Sequence, residues 1–297
     1  MLVLIGTVPE ENFPIVCGTV SLKSRSVSLD GQDAPINRGT PALIAAASTA
    51  CETLGLPAPF SFLVGDEGVG HGSRKLYAYL ETRLTATDAK VITFHYLQPD
   101  VDWHNRVLLA LQEKGPLPVM IADAGFMYAA KMSGFAPCYD LFTPDIGEMA
   151  FLADEVAPHP FYTRGFILHH EGDVPTLIKR AYEGKNAAKT LLIKGAKDYV
   201  CTRDRIVAMV DRPEVRALEP MGGTGDTITG MAAALVFGGY PVPEAAAIAA
   251  RANRLAGALA DPTPASQVLE LINKIPEALE TALKEAPREQ NEAQVFN

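Results

Sequence analysis

Cysteine is scarce, tryptophan occurs once, and positive charge is in deficit. Four cysteines are spread over 297 residues. Cys17, Cys51, Cys138 and Cys201 lie far apart and form no Cys-x-x-Cys pair, which excludes a disulfide framework or a zinc knuckle and fits a reducing compartment. Lys and Arg total 26 against 35 Asp and Glu, a net charge of −9, so a nucleic-acid surface is not expected. No window approaches the roughly 18 consecutive apolar residues that a spanning helix requires, so no membrane partner is expected either. The apolar opening is short, lacks a basic leader and runs into Glu10 and Glu11, unlike a signal peptide. These absences lead to the expectation of a cytoplasmic protein.

Several catalytic signatures are also missing. There is no Gly-x-Ser-x-Gly elbow to anchor a hydrolase triad and no Walker A loop. His95, His104, His159, His169 and His170 have no metal-ligand spacing. Trp103 and its neighbours do not interleave with basic residues, as a single-strand stacking platform would require.

What is present is ordinary for a globular chain, with 48% hydrophobic and 21% charged residues. Short apolar runs alternate with amphipathic stretches. Strands are expected at Leu2–Gly6, Ile15–Val20, Phe60–Val64, Val91–Phe94, Val119–Ala122, Tyr139–Phe142, Phe166–His169, Thr190–Ile193, Tyr199–Thr202 and Ile206–Val210. Helices are expected between them, with three more after Asp226. Such alternation means βαβ units and a mostly parallel sheet. No linker or repeat divides the chain, so residues 1–284 are expected to form a single domain and 285–297 a polar tail. The Pro-rich stretch Ala153–Gly165 is expected to be a loop.

Four segments could carry chemistry. Gly222, Gly223 and Gly225 precede a helix with Asp226 in its first turn. Glycine permits φ > 0 and close backbone approach, and the free N–H groups of a helix start suit a phosphate. A carboxylate beside an anion site suggests a general base toward a hydroxyl attacking phosphorus. An ordinary N-cap behind a flexible turn is the alternative. Next, a buried strand ends at Lys194–Gly195, where Lys194, Lys197 and the turn amides could hold a phosphate, although a plain turn with solvated lysines fits as well. Third, Thr143, Asp145 and Glu148 cluster at a helix start, either as routine capping or as hard oxygen donors that organise Mg²⁺ and water. Last, Phe60–Leu80, a strand, a glycine-rich run and a helix with Ser73, Arg74 and Lys75 at its start, reads as a further anion cradle or as a plain loop.

These segments occur in a recognisable order. Gly222–Gly230 resembles the Gly-x-Gly-Asp signature of the ribokinase-like superfamily, and within it the NAD(P)H-hydrate dehydratases. Leu191–Asp198 resembles that family's Lys-Gly loop, and Phe142–Leu152 its Thr-Pro-His-Pro-Gly-Glu segment. Pro118–Ala130 is similar to its Asp-Ala-Asp segment, with Asp123 on the second aspartate. Ala250–Ser266 resembles the superfamily's late helix, and Gly39–Ala47 also matches. The departures fall on the substrate side. Asp145 replaces a histidine, Ile146 a proline and Ile121 the first aspartate, while Phe94–Asp100 stands in place of a Gly-Pro-Gly-Leu-Gly loop.

The resemblance implies a three-layer α/β/α sandwich with a central, mostly parallel sheet and no obvious β-lid. It implies Asp226 as catalytic base. Lys194, Gly195, Ala196, Lys197, Asp198, Gly222, Gly223, Thr224 and Gly225 would hold nucleotide and phosphate. Asp123, Thr143, Asp145 and Gly39 would face the substrate, with Glu148 and Asp145 meeting a metal through water. The implied cofactors are ATP or ADP with Mg²⁺. The implied reaction is nucleotide-dependent dehydration of hydrated NAD(P)H. A kinase of a small alcohol (a sugar, hydroxymethylpyrimidine or thiazole alcohol) and a non-catalytic nucleotide sensor are the alternatives. Lidless relatives often associate, so a homo-oligomer is expected.

Overall fold

The computed structural model describes residues 1–157, 173–263 and 265–285 and the short strand Gln294–Val295. The expected strand Phe166–His169, with His159 and His170, lies outside the described residues, as does most of the tail. Among the described residues no helix is long and apolar enough to cross a membrane.

The strand β1 (Leu2–Val8) is buried throughout. It pairs in parallel with β6 (Phe60–Gly65) on one side and β7 (Val91–His95) on the other. Parallel pairing continues through β8 (Val119–Ala122), β9 (Leu141–Phe142) and β10 (Thr190–Ile193). Beyond β10 the sheet turns antiparallel through β11 (Asp198–Thr202), β12 (Arg205–Val210) and β13 (Gln294–Val295). The edge strand β2 (Val16–Thr19) runs antiparallel to β6. The result is a ten-stranded, mostly parallel sheet. One pair of the expected polar tail, Gln294–Val295, is thus bound to β12 rather than frayed.

Alternation along β1 divides the core, because successive side chains point to opposite faces. Leu2 and Leu4 join a cluster with α1 (Thr40–Thr53), α7 (Thr224–Phe237), α8 (Val242–Ala260), α9 (Val268–Ile272) and α10 (Ile275–Glu285). Val3 and Ile5 join a second cluster with α2 (His71–Arg83), α3 (Val101–Lys114), α4 (Gly125–Met132), α5 (Ile146–Ala153) and α6 (Val174–Glu183). The three-layer α/β/α expectation is met. Helices α1 and α7 approach so closely that a Cβ on Gly230 would collide with the backbone of Leu43 and Ala47. The small-residue run in α1 makes that approach possible.

A second sheet, β3 (Ser21–Leu22), β4 (Ser26–Leu29) and β5 (Gln32–Pro35), was not among the expected strands. Asp30 and Gly31 join β4 to β5 with φ of 46° and 82°, the two positive values of a type I′ hairpin turn. Val27, Leu29 and Ala34 are buried in the cluster that contains α1, and the sheet feeds directly into Arg38–Gly39 at the start of that helix.

Candidate active site

The carboxyl ends of β7, β8, β9 and β10 and the start of α7 converge on one cavity of about 560 Å³. Ligands of open α/β sheets bind at this end. Asp226, in the first turn of α7, is 8% exposed and lines the cavity. Its Oδ2 accepts the Gly39 N–H at 2.6 Å and its Oδ1 lies 3.0 Å from His95 Nε2. Burial works to raise its pKa. The His95 bond, the nearby Lys194 charge and the Gly39 amide outweigh burial and hold it below the usual carboxylate range. The group therefore stands ionised at neutral pH. Gly223 takes φ of 98° at the N-cap. The amides of Gly223, Thr224 and Gly225 meet no acceptor among the described residues, and all three residues line the cavity beside Asp226.

Lys194, where β10 ends, is tied to the sheet by its N–H to Pro144 O at 2.8 Å. Its Nζ lies 2.9 and 3.0 Å from the two oxygens of Asp123. Burial pulls its pKa down, but Asp123, Glu148 and Asp226 outweigh that and raise it. The Lys194 side chain lies against Gly225, where a Cβ would make ordinary van der Waals contact with it. Asp123 was expected at the substrate, but its oxygens are taken by Lys194, by Thr229 Oγ1 at 2.6 Å and by the Ala124 N–H at 2.8 Å. It holds Lys194 and also lines the cavity. Thr143 is fully buried and bonded by Thr229 at 2.9 Å, so it supports Asp123 through Thr229 and does not reach the cavity wall. His95, Asp123 and Asp226 bring ligand atoms within 4.8 Å of one another. These atoms are already engaged, and the Lys194 ammonium supplies positive charge there.

Residues 194–198 curve over the other side of the cavity. Lys194, Gly195, Ala196 and Asp198 line it, whereas Lys197 turns toward Asp211 at 3.7 Å. The Asp198 carboxylate also ties this turn together. It accepts the Gly195 N–H at 3.0 Å and Arg254 Nε at 2.8 Å. Arg254 Nη2 also donates to the carbonyls of Gly195 and Ala196 at 2.9 and 3.0 Å. Arg254 was not foreseen, although it stands in the late-helix segment that the resemblance covers. Gly222 faces a separate hollow with Arg38.

Asp145 and Glu148 form a capping box at the start of α5, with both bonds at 2.8 Å. That bonding uses one oxygen of each, and both residues still line the cavity. Burial, then Asp123 and Asp145, push Glu148 up to about 8 against the pull of Lys194. Tyr128 donates to its Oε1 at 3.2 Å.

The glycine-rich run is no anion cradle. The Asp66 carboxylate itself accepts the N–H groups of Gly68, Gly70 and Ser73 and the Ser73 hydroxyl at 2.7–3.0 Å. His95 and Tyr96, within Phe94–Asp100, were the residues most clearly missed. Tyr96 takes φ of 52° and lines the cavity. Burial and the carboxylates of Asp226, Asp123 and Glu148 push its phenol up to about 12.

Comparison with known proteins adds to this geometry. Residues 98–277 match the sequence family of carbohydrate-kinase type described as NAD(P)H-hydrate dehydratase. An uncharacterized protein of Methanocaldococcus jannaschii is 39% identical over 221 residues, 74% of this chain and 90% of that protein. The bifunctional NAD(P)H-hydrate repair enzyme Nnr of Hyperthermus butylicus is 39% identical over 113 residues, 37% of this chain and 20% of the enzyme. Among solved structures, the pyridoxal kinase of Staphylococcus aureus with AMP-PCP and pyridoxal superposes with a TM-score of 0.53 at 14% identity, covering 86% of this chain and 88% of the kinase. Phosphofructokinase-2 of Escherichia coli, in complex with fructose-6-phosphate, superposes at 0.52 and 12% identity, covering 94% of this chain and 100% of that one. At such identities these likenesses establish the ribokinase-like fold.

Proposed function

The chain belongs to the NAD(P)H-hydrate dehydratase family, and from that membership we propose that it repairs hydrated NAD(P)H with ATP or ADP as phosphoryl donor. One observation carries the reading. An ionised, nearly buried carboxylate, Asp226, stands on the wall of one cavity beside three backbone amides that meet no acceptor among the described residues.

The nucleotide would lie under residues 194–198 with its terminal phosphoryl group at the Gly223–Gly225 amides. Those amides stabilise the charge that develops on the transferring group. The hydroxyl of the hydrated nicotinamide attacks phosphorus in line. Its O–P bond forms as the bond to the departing nucleotide phosphate breaks, and its proton passes to Asp226. A carboxylate of low pKa suits this step, because the hydroxyl becomes acidic only as the new bond forms in a loose transition state. The ring C–O bond then breaks, phosphate leaves, and a proton lost from the ring restores the dihydronicotinamide.

The carboxylates along the cavity wall outnumber its cations, Lys194, Arg216 and Arg254. A polyphosphate would need a further cation there, and the carboxylate oxygens of Asp145 and Glu148 are hard donors that fit Mg²⁺. When bound, Mg²⁺ would supply neutralisation of polyphosphate charge. A kinase of a small alcohol is the second reading, favoured by Asp145, Ile146 and Phe94–Asp100, where the family's substrate-side pattern is lost. A pure nucleotide sensor has no use for a carboxylate facing phosphate.

The test is to incubate the protein with hydrated NADH, Mg²⁺ and either nucleotide, and to follow dihydronicotinamide absorbance and phosphate release. Recovery with one nucleotide supports the reading. No recovery with either, together with phosphorylation of an alcohol panel, transfers the assignment to the kinase.

A further inference from the structure

We propose that His95, backed by Thr40, is a positioning residue for Asp226, holding its carboxylate in register with the Gly223–Gly225 amides through a proton carried on Nε2. The inference rests on the role proposed for Asp226 but concerns two residues that role does not include. His95 is fully buried at the end of β7. Its Nε2 lies 3.0 Å from Asp226 Oδ1 and its Nδ1 lies 2.9 Å from Thr40 Oγ1.

The proton positions follow from the partners. An ionised carboxylate only accepts, so Nε2 carries a hydrogen. The Thr40 hydroxyl has no other acceptor among the described residues, so it donates to Nδ1. Asp226 Oδ1 is fixed by this N–H and Oδ2 by the Gly39 N–H, which precedes Thr40 directly. The remaining lone pairs are then left to receive a substrate proton.

The surrounding chain is shaped to hold this arrangement. A Cβ on Gly6 of β1 would collide with the Thr40 side chain and the His95 carbonyl. Tyr96, in its left-handed conformation, is anchored by Thr7 Oγ1 donating to its carbonyl at 3.0 Å, and its ring meets the imidazole edge-on at 4.3 Å. The charged and titratable groups that face the pair are Asp123 at the end of β8, 3.8 Å from Nε2, Lys194 at the end of β10 and Glu148 on α5. Tyr96 is the remaining titratable neighbour.

The test compares the full-length protein with His95→Leu, which removes the donor, and His95→Gln, which can place an amide N–H near the former Nε2. Nitrogen NMR of the wild-type ring should show Nε2 protonated and Nδ1 bare. Carbon NMR of the Asp226 carboxyl, without nucleotide, should show its titration moved upward in His95→Leu and restored most of the way in His95→Gln. In the repair assay, His95→Leu should lower kcat on the order of 10-fold or more, leave the nucleotide KM within about 3-fold, and shift the acid limb of the pH profile upward.

A ring protonated on Nδ1, an unmoved Asp226 titration in folded His95→Leu, or a His95→Gln variant no better than His95→Leu would overturn the proposal. The two NMR readouts decide it even if no hydrate is repaired. If His95→Leu does not fold, the wild-type ring signals and His95→Gln decide it.

Discussion

On the proposed function, Asp226 would be the reacting group and Arg254 would shape the nucleotide side. Replacing Asp226 by Asn keeps volume and removes the proton acceptor. Turnover should fall on the order of 10² or more while nucleotide affinity stays within a few-fold; unchanged turnover would remove Asp226 from the base role. Arg254 acts differently. It satisfies the Asp198 carboxylate and two loop carbonyls from one guanidinium fork, a geometry Lys cannot reproduce. Arg254→Lys should therefore weaken nucleotide binding about 10-fold by calorimetry, with Asp198 left partly unpaired. Unaltered affinity would show that the nucleotide does not rest on this loop. Asp226 was legible in the sequence because glycines and an acid met at a helix start. His95 and Thr40 were not, because they are 55 positions apart and come together only when β7 and α1 pack across Gly6.

At the scale of elements, the glycine-rich loop after β6 is closed by its own carboxylate. Asp66 is held below the usual carboxylate range. Burial opposes this, but three backbone N–H groups and the Ser73 hydroxyl prevail. A depressed folded pKa gives stability that is complete above the unfolded value near 3.9 and is lost as pH falls through the folded one. Asp66→Asn should thus lower the melting temperature at pH 7, and the gap to wild type should narrow only below about pH 4. A gap that persists unchanged at lower pH would contradict this. The sequence pattern suggested an external anion here, because free amides and amides already bonded to a local Asp look alike in a sequence. The α1–α7 contact offers a packing test. Gly230→Ala would force a methyl group against the backbone of Leu43 and Ala47, with an expected cost of about 1–3 kcal/mol or more, read by denaturant unfolding. No loss would mean that the helices are free to separate.

At the scale of the whole molecule, the ribokinase-like sandwich was legible because central strands buried on both faces are continuous apolar runs. The small sheet of β3, β4 and β5 was not, since its strands are two to four residues long and half polar. Its signal was the Asp30–Gly31 pair, a hairpin turn. That sheet delivers Gly39 to Asp226, so the poorly matching N-terminal third and the well-matching C-terminal part meet at one carboxylate. The architecture thus sets the Asp226 carboxylate of α7 among residues from the start of α1 and the end of β7, which pack across β1. The most direct test is the ratio of nucleotide-dependent hydrate repair in Asp226→Asn to that in wild type. Repair in wild type and a ratio of about 10⁻² or below, with nucleotide still bound, are the expected results. Equal rates in the two proteins, or no repair in wild type with either nucleotide, would contradict a phosphoryl-transfer role for this carboxylate.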